Sequence, residues 1–166
     1  MTDSALNALG VDLDNTYASG ADLPYAQGEA VRTKNGAAIL VKAGSAITQF
    51  DLCVYAPSSA AASASVEAFP ASLTNVTGRL FAVSQVSIAK GDYGWIHIDS
   101  NKEGRVRCTV AETGTLLCLT GTGGVVDDAG TSGKQLQGIY ILESVTSASA
   151  PRAVWRDIAL DRDQLA

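Results

Sequence analysis

One histidine, three cysteines and three short runs of carboxylates are the chemical resources of this 166-residue chain. His97 stands in Trp95-Ile96-His97-Ile98, where two-residue alternation puts it on the face of Trp95 and opposite both isoleucines. As a general base it would need a nucleophile or carboxylate beside it, and no serine or cysteine stands in a recognisable setting, so packing is its expected role. Cys108 and Cys118 lie symmetrically about Thr113-Gly114 and would face each other across a hairpin, the geometry of a redox pair. Without a Cys-x-x-Cys motif, and with Cys53 at no metal-ligand spacing from either, the expectation is three reduced thiols filling core space.

The carboxylates invite a test for calcium. Asp12-Leu13-Asp14-Asn15 begins like a calcium loop, but Tyr17 occupies the position of the sharp-turn glycine and no bidentate glutamate follows. Asp127-Asp128 and the run from 157 to 163 read as solvated turns. Gly121-Thr122-Gly123-Gly124-Val125-Val126 has valine where a dinucleotide fingerprint needs its third glycine. The stretch 130–135 has Asp128 in place of the first phosphate-loop glycine, Gln135 in place of the magnesium-binding hydroxyl, and Lys134 where a nucleophile elbow around Ser132 needs glycine. The chain is therefore expected to be no enzyme and to hold no metal and no cofactor. Trp95, Trp155, Tyr93 and Tyr140 could stack on sugar rings, which keeps a carbohydrate-binding or receptor-binding β-module as an alternative.

The elements that position these residues are strands. Phe50, Leu52 and Val54 share one parity, with Gln49 and Asp51 on the other; Val106, Cys108 and Val110 alternate likewise with Arg105, Arg107 and Thr109. Phe81 and Val83 differ in parity from Val86 and Ile88, which predicts a bulge near Ser84-Gln85. Further strands are expected over 38–42, 93–99, 115–120, 138–145 and 152–160. Turns are expected at Lys90-Gly91-Asp92, 101–104, Glu112-Thr113-Gly114 and the polar stretch 121–134. About eight short strands with glycine-rich turns describe an all-β antiparallel sandwich or barrel. Residues 58–69, alanine- and serine-rich between Pro57 and Pro70, fit a helix or a small-residue loop equally.

Charge divides the chain. Asp3, Asp12, Asp14, Asp22 and Glu29 face no Lys or Arg before Arg32, and removing these five leaves 12 acidic against 12 basic residues. Residues 1–35 are thus read as an extended acidic arm on a body spanning 36–166. The arm is either ordered only against a partner, or packed as strand and loops on its own body through Leu6, Leu9, Val11, Leu13, Tyr17 and Tyr25. A net charge of −5 argues against nucleic acid, and no apolar run approaches a membrane span. The start Met1-Thr2-Asp3-Ser4 lacks the features of a signal peptide, so synthesis in a cytoplasm is expected.

The second half resembles capsid decoration proteins of tailed bacteriophages. The likeness rests on the run from Ala89 to Ile98 with its Tyr93-Gly94-Trp95, the strand from Gly104 to Val110, and the run from Ala111 to Leu117. It continues through Val125-Val126-Asp127-Asp128, Leu136-Gln137-Gly138-Ile139 and Ala153-Val154-Trp155. It covers roughly residues 36–160 and leaves the arm out. The resemblance implies a virion structural protein, often a homotrimer, on the outer capsid surface, clamping neighbouring major capsid protein subunits after assembly in the host cytoplasm. Interface positions are then expected at Asp12, Asp14, Tyr17 and Tyr25 of the arm, which would lie across a neighbouring subunit. Tyr93 and Trp95 join them, since flanking glycines would leave their rings exposed.

Overall fold

Alternating strands normally bury one face and wet the other, but several strands of this chain bury both. The computed structural model describes residues 11–33, 36–57, 66–77, 79–128 and 134–160. It contains β1 (Thr16–Tyr17), β2 (Ala30–Thr33), β3 (Gly36–Ala43), β4 (Leu52–Pro57), β5 (Val66–Pro70) and β6 (Leu80–Ser84). The longest strand, β7 (Tyr93–Arg105), follows, then β8 (Leu117–Leu119), β9 (Val126–Asp127), β10 (Gln135–Ile141) and β11 (Arg152–Leu160). The fold is all-β. Residues 58–65 of the helix-or-loop expectation lie outside the described residues, and Val66–Pro70 is strand.

Strands β3, β5, β4, β6 and β7 close into a five-strand barrel, because β7 pairs with β6 on one edge and β3 on the other. Its joints are antiparallel except β3–β5, which is parallel through Lys42↔Glu67 and Ala43↔Ala68. Side-chain parity then separates three cores. Val41, Cys53, Tyr55, Ala82 and Ile96 point into the barrel. On one side of it, Leu52, Val54, Phe81 and Val83 point outward from β4 and β6 and meet Cys108, Leu136, Ile139, Ile141 and Trp155 of a second layer. On the other side, Ala38, Leu40 and Trp95 point outward from β3 and β7 and are covered by Val11 and Leu13 of the arm.

This layering explains two departures from expectation. The change of parity between Val83 and Val86 is not a bulge: β6 ends at Ser84, whose hydroxyl donates to the Val86 carbonyl at 2.6 Å and turns the chain. Phe81 and Val83 serve the outer core, while Val86 and Ile88 serve the barrel interior. The expected turn at 101–104 is also absent. β7 runs through it, passing from β6 to a new partner, β11, with pairs Arg156↔Asp99, Trp155↔Ser100, Ala153↔Gly104 and Arg152↔Arg105. Three residues of β7 there face a single residue of β11, so the surplus is taken up as a bulge in a continuing ladder. β7 is thus the strand shared between barrel and second layer, which β11, β10, β8 and β9 complete.

Residues 11–33 lie on the body, as the second of the two arm readings has it. β1 pairs with β7 (Thr16↔Gly94, Tyr17↔Tyr93), and β2 forms a hairpin with β3. The cause is hydrophobic: the outward row Ala38, Leu40 and Trp95 would otherwise stand in water.

Candidate functional site

The six residues expected at an interface gather in one place, the arm side of the barrel. Tyr17 pairs with Tyr93 across β1–β7, and Tyr25 sets its ring edge-on to Trp95 with centroids 5.5 Å apart. Trp95 is 0% exposed, against the expectation of a ring left open by its flanking glycines. Gly91 does lie in a turn, but Gly94 is within β7, and the arm closes over the indole. Its Nε1–H has no hydrogen-bond partner among the described residues. Tyr17, Tyr25 and Tyr93 are half-buried against the same cluster. Asp12 and Asp14 are exposed, and Asp12 Oδ1 accepts the Asp14 backbone N–H at 3.0 Å, closing a turn. With Asp22 and Glu29 also exposed and no Lys or Arg between residues 11 and 31, the arm turns an acidic surface outward.

A second surface lies on the outer face of the second layer, of which sequence reasoning named only Tyr140, as a ring that could stack on a sugar. Tyr140 (51% exposed) and Leu142 (42%) share the outward parity of β10 and its extension, and Leu116 (48%) precedes β8 on the neighbouring edge. Val154 of β11 lies directly across from Tyr140. Large apolar side chains left open on one sheet face are uncommon in a monomer, which makes this strip the informative exposure of the molecule. Arginines border it. Arg105 and Arg152 are direct partners across β7–β11, and Arg152 Nε donates to Glu143 Oε1 at 2.6 Å. Hydrogen bonds from the Arg152 backbone and then its side chain hold the Glu143 carboxyl below its usual range. The signal was hidden because the register slips between Gln137 and Ile139, which breaks the two-residue parity needed to read Tyr140 and Leu142 as outward.

Barrel and second layer are knotted together at Asp51, which the sequence places among outward residues and the structure buries at 2% exposure. Its Oδ2 accepts the Thr48 N–H at 2.9 Å, and its Oδ1 lies 3.0 Å from Arg107 Nη1 in an ion pair without hydrogen-bond alignment. Burial pushes the Asp51 carboxyl above its ordinary value; the Thr48 hydrogen bond and the Arg107 charge pull the other way. Four chain segments converge here. Arg107 N–H donates to the Phe50 carbonyl, Ser84 N–H to that of Asp51, and Leu52 N–H to that of Gly124. Gly124, at φ +79°, has no room for a Cβ, which would overlap the Asp51 carboxyl. Phe50 is held at φ +68°, an uncommon conformation for an aromatic residue. Beside this knot an open cleft of about 450 Å³ is lined by Arg107, Thr109, Thr122, Val125, Ala148 and Ser149.

The remaining candidates for chemistry are dispersed. Cys53, Cys108 and Cys118 are free and buried, as the alternation predicts for Cys108. Desolvation raises all three thiols, that of Cys108 up to about 12, which suppresses the nucleophilic thiolate. His97 is half-buried, pairs with Ala38 and Val83 in the ladders, and gives its carbonyl to the Trp155 indole N–H at 3.0 Å. Among the described residues no group of three His, Cys, Asp or Glu side chains could hold a metal, and no helix is long and apolar enough to cross a membrane. Trp155 is buried at 2%, so neither indole forms a platform for a sugar ring.

No protein-family model and no curated protein matches the chain. Among solved structures, it is similar to the N base of the head fiber protein gp8.5 of bacteriophage phi29, at 15% sequence identity and a TM-score of 0.53, over 81% of this chain and 100% of that one. At that identity the likeness is one of fold.

Proposed function

We propose that this chain is a structural protein of a bacteriophage head that works by binding rather than by catalysis. The observation that carries the reading is the correspondence of fold with the whole of a head-fiber base, over four-fifths of the present chain. The sequence resemblance to capsid decoration proteins points to the same kind of particle. In the finer form of the proposal, the protein sits on the outside of the capsid as a homotrimer and bridges major capsid protein subunits, assembling in the host cytoplasm without contact to nucleic acid or membrane. Symmetric repetition suits such a role, since three weak contacts made together give avidity that none has alone.

The open apolar strip of Leu116, Tyr140 and Leu142, edged by Arg105 and Arg152, is the part of the surface that fits a protein contact. Tyrosine and arginine around an apolar centre are the residue types that dominate binding energy at interfaces. The decisive experiment is co-sedimentation of the purified full-length chain with heads of the phage that encodes it. Saturable binding is expected, and a Tyr140→Asp/Leu142→Asp double variant should bind at least roughly tenfold more weakly. Absence of wild-type binding to heads would sink the proposal. The carbohydrate-binding alternative loses both tryptophans, which are interior, and keeps Tyr140 as an open ring.

A further inference from the structure

The arm side of the barrel is built as a seat and a strap. The seat is the outward row Ala38, Leu40 and Trp95 on β3 and β7; the strap is residues 11–25, which bring Val11, Leu13, Tyr17, Leu23 and Tyr25 onto it. This cluster is separate from the other two cores, and apart from Val31 of β2 its cover is the strap. The backbone ties are few: the two-residue β1–β7 ladder and the Ser19 N–H donated to Asp92 Oδ1 at 2.9 Å. Beneath the strap the Trp95 indole N–H is buried without a partner, although buried indoles usually find one.

Between the strap and β2 lies a tight reversal at residues 26–29. The Glu29 N–H donates to the Ala26 carbonyl at 3.0 Å, and the Glu29 carboxylate receives the Ala26 N–H at 3.1 Å. Gly28 sits at φ +78°, and a Cβ there would stand 2.9 Å from Val66 Cγ2. Straightening these four residues would project the strap away from its own body at the cost of two backbone hydrogen bonds, Gly28 N–H to the Leu40 carbonyl at 2.8 Å and Leu40 N–H to the Glu29 carbonyl at 3.0 Å, while the β2–β3 pairs from Ala30 onward stay in place. The surface thereby uncovered is complementary to a sequence already known to fit it, the strap itself.

We propose that the strap is exchangeable: residues 11–25 of one copy take the seat on β3 and β7 of a second copy, with 26–29 as the hinge. Exchange of an identical element is a low-cost route to association, because every contact of the exchanged form already exists in the single chain. Its occurrence does not depend on where in a particle the protein works.

The test places the photo-crosslinker p-benzoylphenylalanine at position 25 of the full-length chain, where Tyr25 meets Trp95, and separates the irradiated product on a denaturing gel. Exchange predicts a band at twice the chain mass whose share rises several-fold with protein concentration and incubation, and rises further with Gly28→Val, which disfavours the closed hinge. The same crosslinker at the exposed Leu80 should give no such band. Product confined to the mass of one chain at every concentration, in protein that circular dichroism shows to be folded, would overturn the proposal; so would an equal dimer band from position 80.

Discussion

The barrel has two apolar outer faces, and they are covered by different means. Over β4 and β6 the cover is a hydrogen-bonded layer, in which β11 pairs with β7 and β10 and Trp155 anchors the core between. Over β3 and β7 the cover is an irregular strap tied by a two-residue ladder. Both bury a tryptophan completely or nearly so, yet only the first is joined to the barrel by a long ladder, the strap's own being two residues. Burial alone therefore does not decide cooperativity: a layer continuous with the barrel ladder should unfold with it, and a strap with few ties should open below the global transition.

The sharpest way to break this contrast is to empty each cover in turn. Trp155→Ala should cost about 4 kcal/mol and lower the whole denaturant transition, read by far-ultraviolet circular dichroism. If only a minor phase moved, the second layer would not be continuous with the barrel. The Asp51–Arg107 junction comes next. Arg107→Ala leaves a buried carboxylate unpaired and should cost about 3 kcal/mol near neutral pH. Burial already raises Asp51 above its unfolded value of 3.8, so the native state holds its proton more tightly than the unfolded chain does. Stability from this group is therefore greatest in acid and falls as pH rises through the folded pKa. The deficit of Arg107→Ala should accordingly shrink on acidification, and Asp51→Asn in the same background should restore part of it at neutral pH. A deficit independent of pH would show that lost packing, not charge, is responsible.

Leu13→Ala removes a comparable apolar side chain from the other cover, with a cost of about 2 to 3 kcal/mol that should be local. Hydrogen exchange should quicken at Tyr17, Gly28 and Leu40, while the main denaturant midpoint hardly moves. An equal fall in that midpoint would make the two covers alike. At the small end, Glu143→Gln, which removes an exposed ion pair with Arg152 on the solvent side of the second layer, should leave the thermal midpoint nearly unchanged.

Inward positions were legible because alternation is a local property: Leu52, Val54 and Ile96 lie buried in strands, and Val106 and Cys108 are buried too, although the expected strand over 105–110 gives only isolated bridges past Arg105 and leaves Val110 exposed. What alternation cannot tell is that the opposite parity is also inside, as it is for Cys53 and Ala82, since that depends on which strands close the barrel. The same limit hid Asp51, whose polar character argued for solvent although its partner Arg107 lies 56 positions later in the sequence. The six expected interface positions lie together, but Trp95 was misread as an open ring. Trp95 and Tyr25 meet, and do so inside one chain. Tyr140 and Leu142 were recognised as strand residues and lost only their direction, to the register slip at Gly138.

The distribution of cysteines gives this layered molecule built-in reporters. Cys53 lies in the barrel and Cys108 in the core beneath the second layer, while the strap and its seat contain none. A thiol reagent applied to the unmodified protein would therefore keep separate time for those two inner compartments, peptide by peptide in a mass spectrum. It would remain blind to every movement of the strap.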